Sequence, residues 1–246
     1  MELPKYNLQN LNPIERRLVK ELEAVHEVCA KNEFINYAIL DKDYSRRPPR
    51  NYRINYEIKS FVGVDEQGHP IVGGEHVVDL EIPKHYPLES VIPYAKTKIW
   101  HPNIKWDGPY QGHICGNVKD FGKTYTLDLM ILRIANIIEY KNYLAENIPP
   151  FPEEEKVAKW VREFAEPNGF VNGKEGILWD KLPESTVVWE KEEVEEESSE
   201  AEDTNLGSKL IKISLKGGKK RKYNPPPKKG DTKSGKNGGM INIRPK

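Results

Sequence analysis

Cys115 is the residue in this chain best suited to do chemistry. It ends the run Gly112-His113-Ile114-Cys115, downstream of His101-Pro102-Asn103-Ile104. A thiol reacts as its thiolate and must be partly exposed to do so. Loop residues meet that need better than helix residues. Gly108, Pro109, Gly112 and Gly116 surround Cys115 with turn-forming positions, so a loop or an extended edge is expected there. A cysteine between Ile114 and Gly116 also reads as a small buried side chain, and the immediate context leaves both readings open.

The other thiol, Cys29, falls beside a helical apolar stripe and is expected to be a buried hydrophobe. Two cysteines are too few for a disulfide framework, and they form no C-x-x-C metal or redox spacing. His101, His113 and Cys115 fit no common zinc pattern. No metal site is therefore expected from these residues, and nothing in the sequence implies a small cofactor. A cysteine hydrolase using Cys115 with His101 or His113 is a rival reading. No other protease signature accompanies it, and His113 is not expected to face the thiol.

These residues need a scaffold. Asn12-Pro13 is a helix start, with Asn as cap and Pro in the first turn. Ile14, Leu18, Leu22, Val25 and Cys29 follow at helical spacing, with Arg16, Arg17, Lys20 and Glu23 between them. After Arg46-Arg47-Pro48-Pro49 the period changes. Tyr52, Ile54, Tyr56 and Ile58 alternate with polar residues, as a half-buried strand requires. Gly68 and Gly73-Gly74 mark turns around strands near 61–64 and 71. Val78, Leu80 and Ile82 alternate up to Pro83, and 94–100 supplies a further strand. Leu127, Met130, Ile131, Ile134, Ile137 and Ile138 make a broad apolar helix face. Pro149-Pro150-Phe151-Pro152 breaks the chain. Glu153-Glu154-Glu155 then places acid where the macrodipole of a last helix favours it, ahead of Val157, Trp160, Val161 and Phe164. The expected architecture is α+β: an N-terminal helix, a four-stranded antiparallel meander, the loop carrying Cys115, and two C-terminal helices on one face of the sheet.

The regular patterns stop well before residue 246. One domain over about residues 5–168 is expected, large enough for its own core. Residues 169–189 form an extension that reads either as short strands or as docking segments, around 176–179 and 186–189. Net charge is +0 for the whole chain, but it is segregated. Residues 190–203 hold eight Glu and one Asp against one Lys, and residues 204–246 hold eleven Lys and two Arg against one Asp. Such blocks point to an acidic then basic disordered tail over 190–246. Its basic part suits nucleic acid as a partner, or folds back on the acidic run. No apolar run approaches a membrane span and no signal-like segment opens the chain, so the expectation is a cytoplasmic protein with no membrane partner.

Tyr86-Pro87, Pro93, Thr97, Ile99, Trp100 and His101-Pro102-Asn103-Ile104, with Gly112-x-Ile114-Cys115 behind them, resemble the active-site passage of the ubiquitin-conjugating enzymes. The fifteen-residue interval from Tyr86 to His101 is the one usual in that family. The element order is also similar, and the resemblance covers roughly residues 12–166. The chain departs from the pattern in places. The stretch from Asn103 to Cys115 is longer than usual, and Trp106, Gly108, Pro109 and Tyr110 fill it. Gly116-Asn117 replaces the common Leu-Asp, and no Trp-Ser-Pro loop is recognisable in 121–126, so no RING-type ligase is inferred. The divergence is more similar to the prokaryotic relatives of the family than to its main eukaryotic group.

The resemblance implies transthiolation. Cys115 would accept a ubiquitin-like protein from an activating enzyme as a thioester, and pass it to an amine or thiol on an acceptor protein or a ligase. Asn103 is the matching family residue, expected to donate toward the oxyanion or to brace the loop. His101 is expected to be structural. Asp120 and Glu146 are the positional candidates for an acidic residue that steers the incoming amine. The alternative is a non-catalytic scaffold of the same fold that binds a ubiquitin-like protein.

Overall fold

The computed structural model of the protein describes residues 3–115, 126–149, 151–184, 186–189 and 220–222. Its first helix, α1 (Pro13–Ala30), starts where the Asn-Pro pair requires. The Asn12 side chain accepts from Glu15 N at 2.9 Å, and the Glu15 carboxylate accepts from Asn12 N at 3.0 Å. This reciprocal cap satisfies two amides that the helix itself leaves unbonded. Leu18, Leu22, Val25 and Val28 form the buried stripe, while Ile14 is 40% exposed and leaves it.

The strands are β1 (Ile35–Ile39), β2 (Asn51–Tyr56), β3 (Ser60–Val64), β4 (Pro70–Gly73), β5 (His76–Glu81), β6 (Ile92–Ala95), β7 (Val171–Asn172), β8 (Gly176–Ile177), β9 (Val187–Trp189) and β10 (Lys220–Lys222). A four-stranded antiparallel sheet runs in the order β1-β2-β5-β6. The strict alternation of β2 has its expected consequence: Tyr52, Ile54 and Tyr56 are fully buried and face Leu80, Val78 and His76 across the register. Helix α2 (Leu127–Ile138) joins α1 over this sheet. Ile131, Ile134 and Ile138 of α2, with Leu18, Leu22 and Val25 of α1, complete one core with the buried side chains of β2 and β5.

The α+β class and the four-stranded antiparallel sheet are as expected from sequence, but the membership differs. β1 belongs to the sheet, and its pattern is too short and too exposed to announce itself: only Ile35 is buried. The segments near 61–64 and 71 leave the sheet and pair as the β3–β4 hairpin of a second sheet, ordered β10-β9-β4-β3. The strand expected over 94–100 ends at Ala95, because Trp100 N turns away to donate to Phe61 O at 2.8 Å. Of the two ambiguous segments, 176–177 becomes β8, and 187–189 becomes β9, which lies parallel to β4. Lys220–Lys222, inside the stretch expected to be disordered, pairs antiparallel with β9.

A second core sits behind the hairpin. Phe61, Val72, Trp100 and Tyr140 pack there with Val157 and Val161 of the last helical stretch and with Phe170, Ile177 and Leu182. That stretch is α3 (Glu155–Trp160) followed by a wider π-type turn over Val161–Ala165. Trp100, next to the His101 motif, is thus anchored in this second core. Among the described residues no helix is long and apolar enough to cross a membrane.

Candidate active site

Three strands of chain meet under Cys115. Residues 103–105 run antiparallel to 113–115, with Ile104 opposite Ile114. Cys115 N donates to Asn103 O at 2.8 Å, and Lys105 N donates to His113 O at 2.9 Å. The second of these segments is also stitched to β6: Ala95 N donates to Gly112 O at 2.7 Å, and Ile114 N donates to Pro93 O at 3.1 Å. Residues 106–112 bulge out as a loop. The extra length between Asn103 and Cys115 is therefore taken up away from the ladder, and the two residues stay side by side. Gly112 makes this possible. Its φ is +86°, and a Cβ there would lie 2.2 Å from Ala95 O.

Asn103 is buried, and both ends of its amide are engaged. Nδ2 donates to Cys115 O at 3.3 Å, and Oδ1 accepts from Leu144 N at 2.9 Å. The side chain ties the thiol's own peptide to the segment after α2. This geometry corresponds to loop bracing, one of the two roles the resemblance implies.

His101 is fully buried. Asn103 N points at its Nδ1 from 3.0 Å, so Nδ1 accepts and the neutral ring carries its proton on Nε2. Burial pushes the imidazole down to about 3. The ring stands edge-on to Tyr140, 4.5 Å between centroids. A neutral histidine whose lone pair is already taken is a brace and not a base, which removes His101 from the hydrolase reading.

His113 Nδ1 lies 3.0 Å from Glu153 Oε1, and its ring packs on Tyr94. Two residues of extended chain return a side chain to the same face. Alternation therefore gives no reason for His113 to turn from Cys115, and the expectation on that point is corrected. What engages His113 is Glu153, from the approach to α3. Glu146 is exposed, and Asp120 and residues 121–125 lie outside the described residues. Cys29 is half-buried on α1, and desolvation pushes its thiol up to about 11. Such a thiol is almost wholly protonated at neutral pH and is a poor nucleophile.

Two residues escaped the sequence reading. Tyr140 follows α2 with φ +59°, a left-handed conformation that usually falls to glycine. Its ring explains the cost of about 1 kcal/mol or more: it is buried against Phe61 and His101, and its hydroxyl donates to Trp100 O. A tyrosine where a helix end favours glycine was the available signal. The second is Glu154, from an acidic run read as serving a helix dipole. Only Glu155 lies in the first turn of α3. The Glu154 carboxylate accepts instead from Trp106 N at 3.1 Å and from the Lys105 ammonium at 3.1 Å. Among the described residues no group of His, Cys, Asp and Glu could hold a metal ion.

Element order and site together define an α+β domain built around a thiol at the end of a short, side-chain-braced ladder. Comparison with known proteins finds relatives over part of the chain. Ubiquitin-conjugating enzyme E2 21 of Caenorhabditis elegans is 34% identical over 105 residues, covering 42% of this chain and 44% of the relative. Ubiquitin-conjugating enzyme E2 1 of Schizosaccharomyces pombe is 31% identical over 112 residues, covering 44% of this chain and 48% of the relative. Ubiquitin conjugating enzyme E2 B of Dictyostelium discoideum is 32% identical over 93 residues, covering 38% and 57%. The chain spans about half the length of the curated relatives it matches. No family model matches it. Among solved structures, a Toxoplasma gondii ubiquitin conjugating enzyme E2 domain aligns with TM-score 0.40 at 24% identity, over 62% of this chain and 88% of that one. A putative ubiquitin conjugating enzyme from Plasmodium yoelii aligns with TM-score 0.43 at 24% identity, over 64% and 89%. Over the matched stretches the chain is similar to the ubiquitin-conjugating enzymes, and its α+β architecture is of their kind.

Proposed function

We propose that this protein is an acyl carrier that holds a ubiquitin-like protein as a thioester on Cys115. The Cys115 thiolate attacks the thioester carbonyl presented by an activating enzyme. A new C–S bond forms and the activating enzyme's thiolate leaves. In the second step an amine or thiol of the acceptor attacks the same carbonyl, loses its proton, and releases the Cys115 thiolate. Energy enters upstream, at the activating enzyme, so the carrier itself needs no metal or small cofactor. An acceptor protein or a ligase completes the set of partners.

The observation that carries this reading is the double tie between Asn103 and Cys115, which fixes the peptide that bears the thiol. The Asn103 amide has a second N–H available on Nδ2. Should the loaded carbonyl reach it, one such donor is worth about 3 kcal/mol in acyl transfer. The test combines the full chain with an activating enzyme, a ubiquitin-like protein and ATP. A thiol-sensitive adduct is expected, absent in Cys115→Ala and retained in Cys29→Ala. Cys115→Ser should give a thiol-resistant ester. An adduct that persists in Cys115→Ala overturns the assignment. Binding of the ubiquitin-like protein without any adduct favours the scaffold reading.

A further inference from the structure

The enlarged loop between Asn103 and Cys115 is closed by one buried carboxylate. Glu154 stands at the N-cap of α3 yet makes no side-chain cap to its own helix. A residue there ordinarily turns its oxygen onto the first helical amides. The Glu154 carboxylate, 6% exposed as a residue, reaches the loop instead: it accepts from Trp106 N and pairs with Lys105. Its own backbone N donates to Pro102 O at 2.9 Å. Glu154 therefore grips the chain on both sides of Asn103, at Pro102 and at Lys105–Trp106. Asn103 is the residue whose carbonyl receives Cys115 N.

The neighbours of this grip point the same way. The Trp106 ring meets Trp100 edge-on at 4.8 Å, and Lys98 Nζ sits 4.9 Å from the Trp106 ring centroid. Glu153, one residue earlier, holds His113 on the returning segment. Both acidic residues before α3 thus face the two sides of the ladder that ends at Cys115.

We propose that Glu154 is the positioning residue of the Cys115 thiol: it locks the expanded 106–112 loop so that the 103–105 and 113–115 segments stay paired. Its effect on acyl transfer rests on the function proposed above. Its effect on thiol access does not. A charged group with two donors here cannot be exchanged freely. Gln keeps an acceptor for Trp106 N but drops the charge that faces Lys105, and Ala drops both.

The test follows both native thiols of the full chain by mass spectrometry during iodoacetamide labelling, in wild type, Glu154→Gln and Glu154→Ala. Discharge of loaded protein to free lysine is measured in parallel. Glu154→Ala is expected to label Cys115 about fivefold faster, with Cys29 unchanged, because a local opening frees only the loop. Discharge is expected to fall about tenfold, since misplacement of a reacting group is costly. Glu154→Gln should fall between the two and guards against a variant that fails to fold. Equal Cys115 labelling in wild type and variants overturns the proposal. So does acceleration of Cys29 in step with Cys115, the sign of general unfolding. If wild type forms no thioester, the proposed function falls, while the labelling comparison still decides the role of Glu154.

Discussion

Asn103 and Cys115 hold each other twice, once through Cys115 N to Asn103 O and once through Asn103 Nδ2 to Cys115 O. The same side chain receives Leu144 N on its oxygen. Asn103→Ala therefore removes a donor from one backbone carbonyl and an acceptor from one backbone amide. Leaving such groups unmet costs about 1–3 kcal/mol each when they are buried. The expected loss in urea unfolding is about 2 kcal/mol, toward the low side because the site is only partly enclosed. Discharge to lysine should slow more than loading. Equal slowing of both steps would show that Asn103 only braces the loop.

Much of this arrangement is legible in the residues, and the rest fails for physical reasons. β2 announces itself because Tyr52, Ile54 and Tyr56 bury one whole face while Asn51, Arg53 and Asn55 stay partly wet. β1 buries only Ile35 and so leaves almost no period to read. The hairpin β3–β4 carries strand residues, yet nothing local says which sheet it joins. That choice is made by Phe61 packing on Tyr140 and Trp160, from distant parts of the chain. At the candidate site, Cys115 and Asn103 are singled out by the motif that resembles the family's. Glu154 is not, because an acid ahead of a helix already has an ordinary explanation. Its partners Lys105 and Trp106 lie some fifty residues back, a pairing visible only once the chain is folded.

Gly112 offers a sharper test of the ladder. A Cβ there would fall on Ala95 O, on backbone that cannot step aside as a side chain can, and φ is +86°. Gly112→Ala should destabilise the protein by about 2–3 kcal/mol through strain and lost pairing with β6. Gly108 has a similar φ of +81° but open space around it. Gly108→Ala should cost about 1 kcal/mol, from the left-handed conformation alone. Thermal or urea unfolding of the two variants measures the difference. Equal losses would mean that the contact with Ala95 does not matter.

Glu21 links three elements at a buried carboxylate. It accepts from Arg17 at 2.6 Å, from the Tyr86 hydroxyl at 2.7 Å and from Leu127 N at 2.8 Å. Leu127 N is an opening amide of α2, and α2 has no side-chain cap of its own from Thr126. Glu21 thus caps α2 from α1. Glu21→Ala leaves the helix amide unmet and removes the acceptor of the Tyr86 hydroxyl, an expected loss of about 2–4 kcal/mol. Arg17 is 38% exposed, so its share is small because water screens the pair. Glu21→Gln, which keeps an acceptor for Leu127 N, should lose roughly half as much. A Glu21→Ala variant unfolding at the wild-type urea midpoint would sink this role.

Acid should weaken the fold through two buried histidines. Burial pushes His76 from the ordinary 6.5 down to about 4, and His101 down to about 3. In the folded chain both rings stay neutral well below pH 6, while in the unfolded chain they take up protons as pH falls through 6.5. Protons then bind the unfolded state preferentially, so stability rises with pH in this window. The contribution is complete above pH 6.5 and is lost as pH falls toward the folded values. Each ring contributes a slope of up to about 1.4 kcal/mol per pH unit between those limits. His76 sits opposite Tyr56 on β2 and next to Glu75. His76→Phe keeps a ring of similar size and removes the titration. Urea midpoints between pH 7 and pH 4.5 should then fall less steeply in His76→Phe than in wild type. Carboxylates titrate alike in both chains, so the difference isolates the histidine. Parallel curves would show that His76 is not held neutral by the fold.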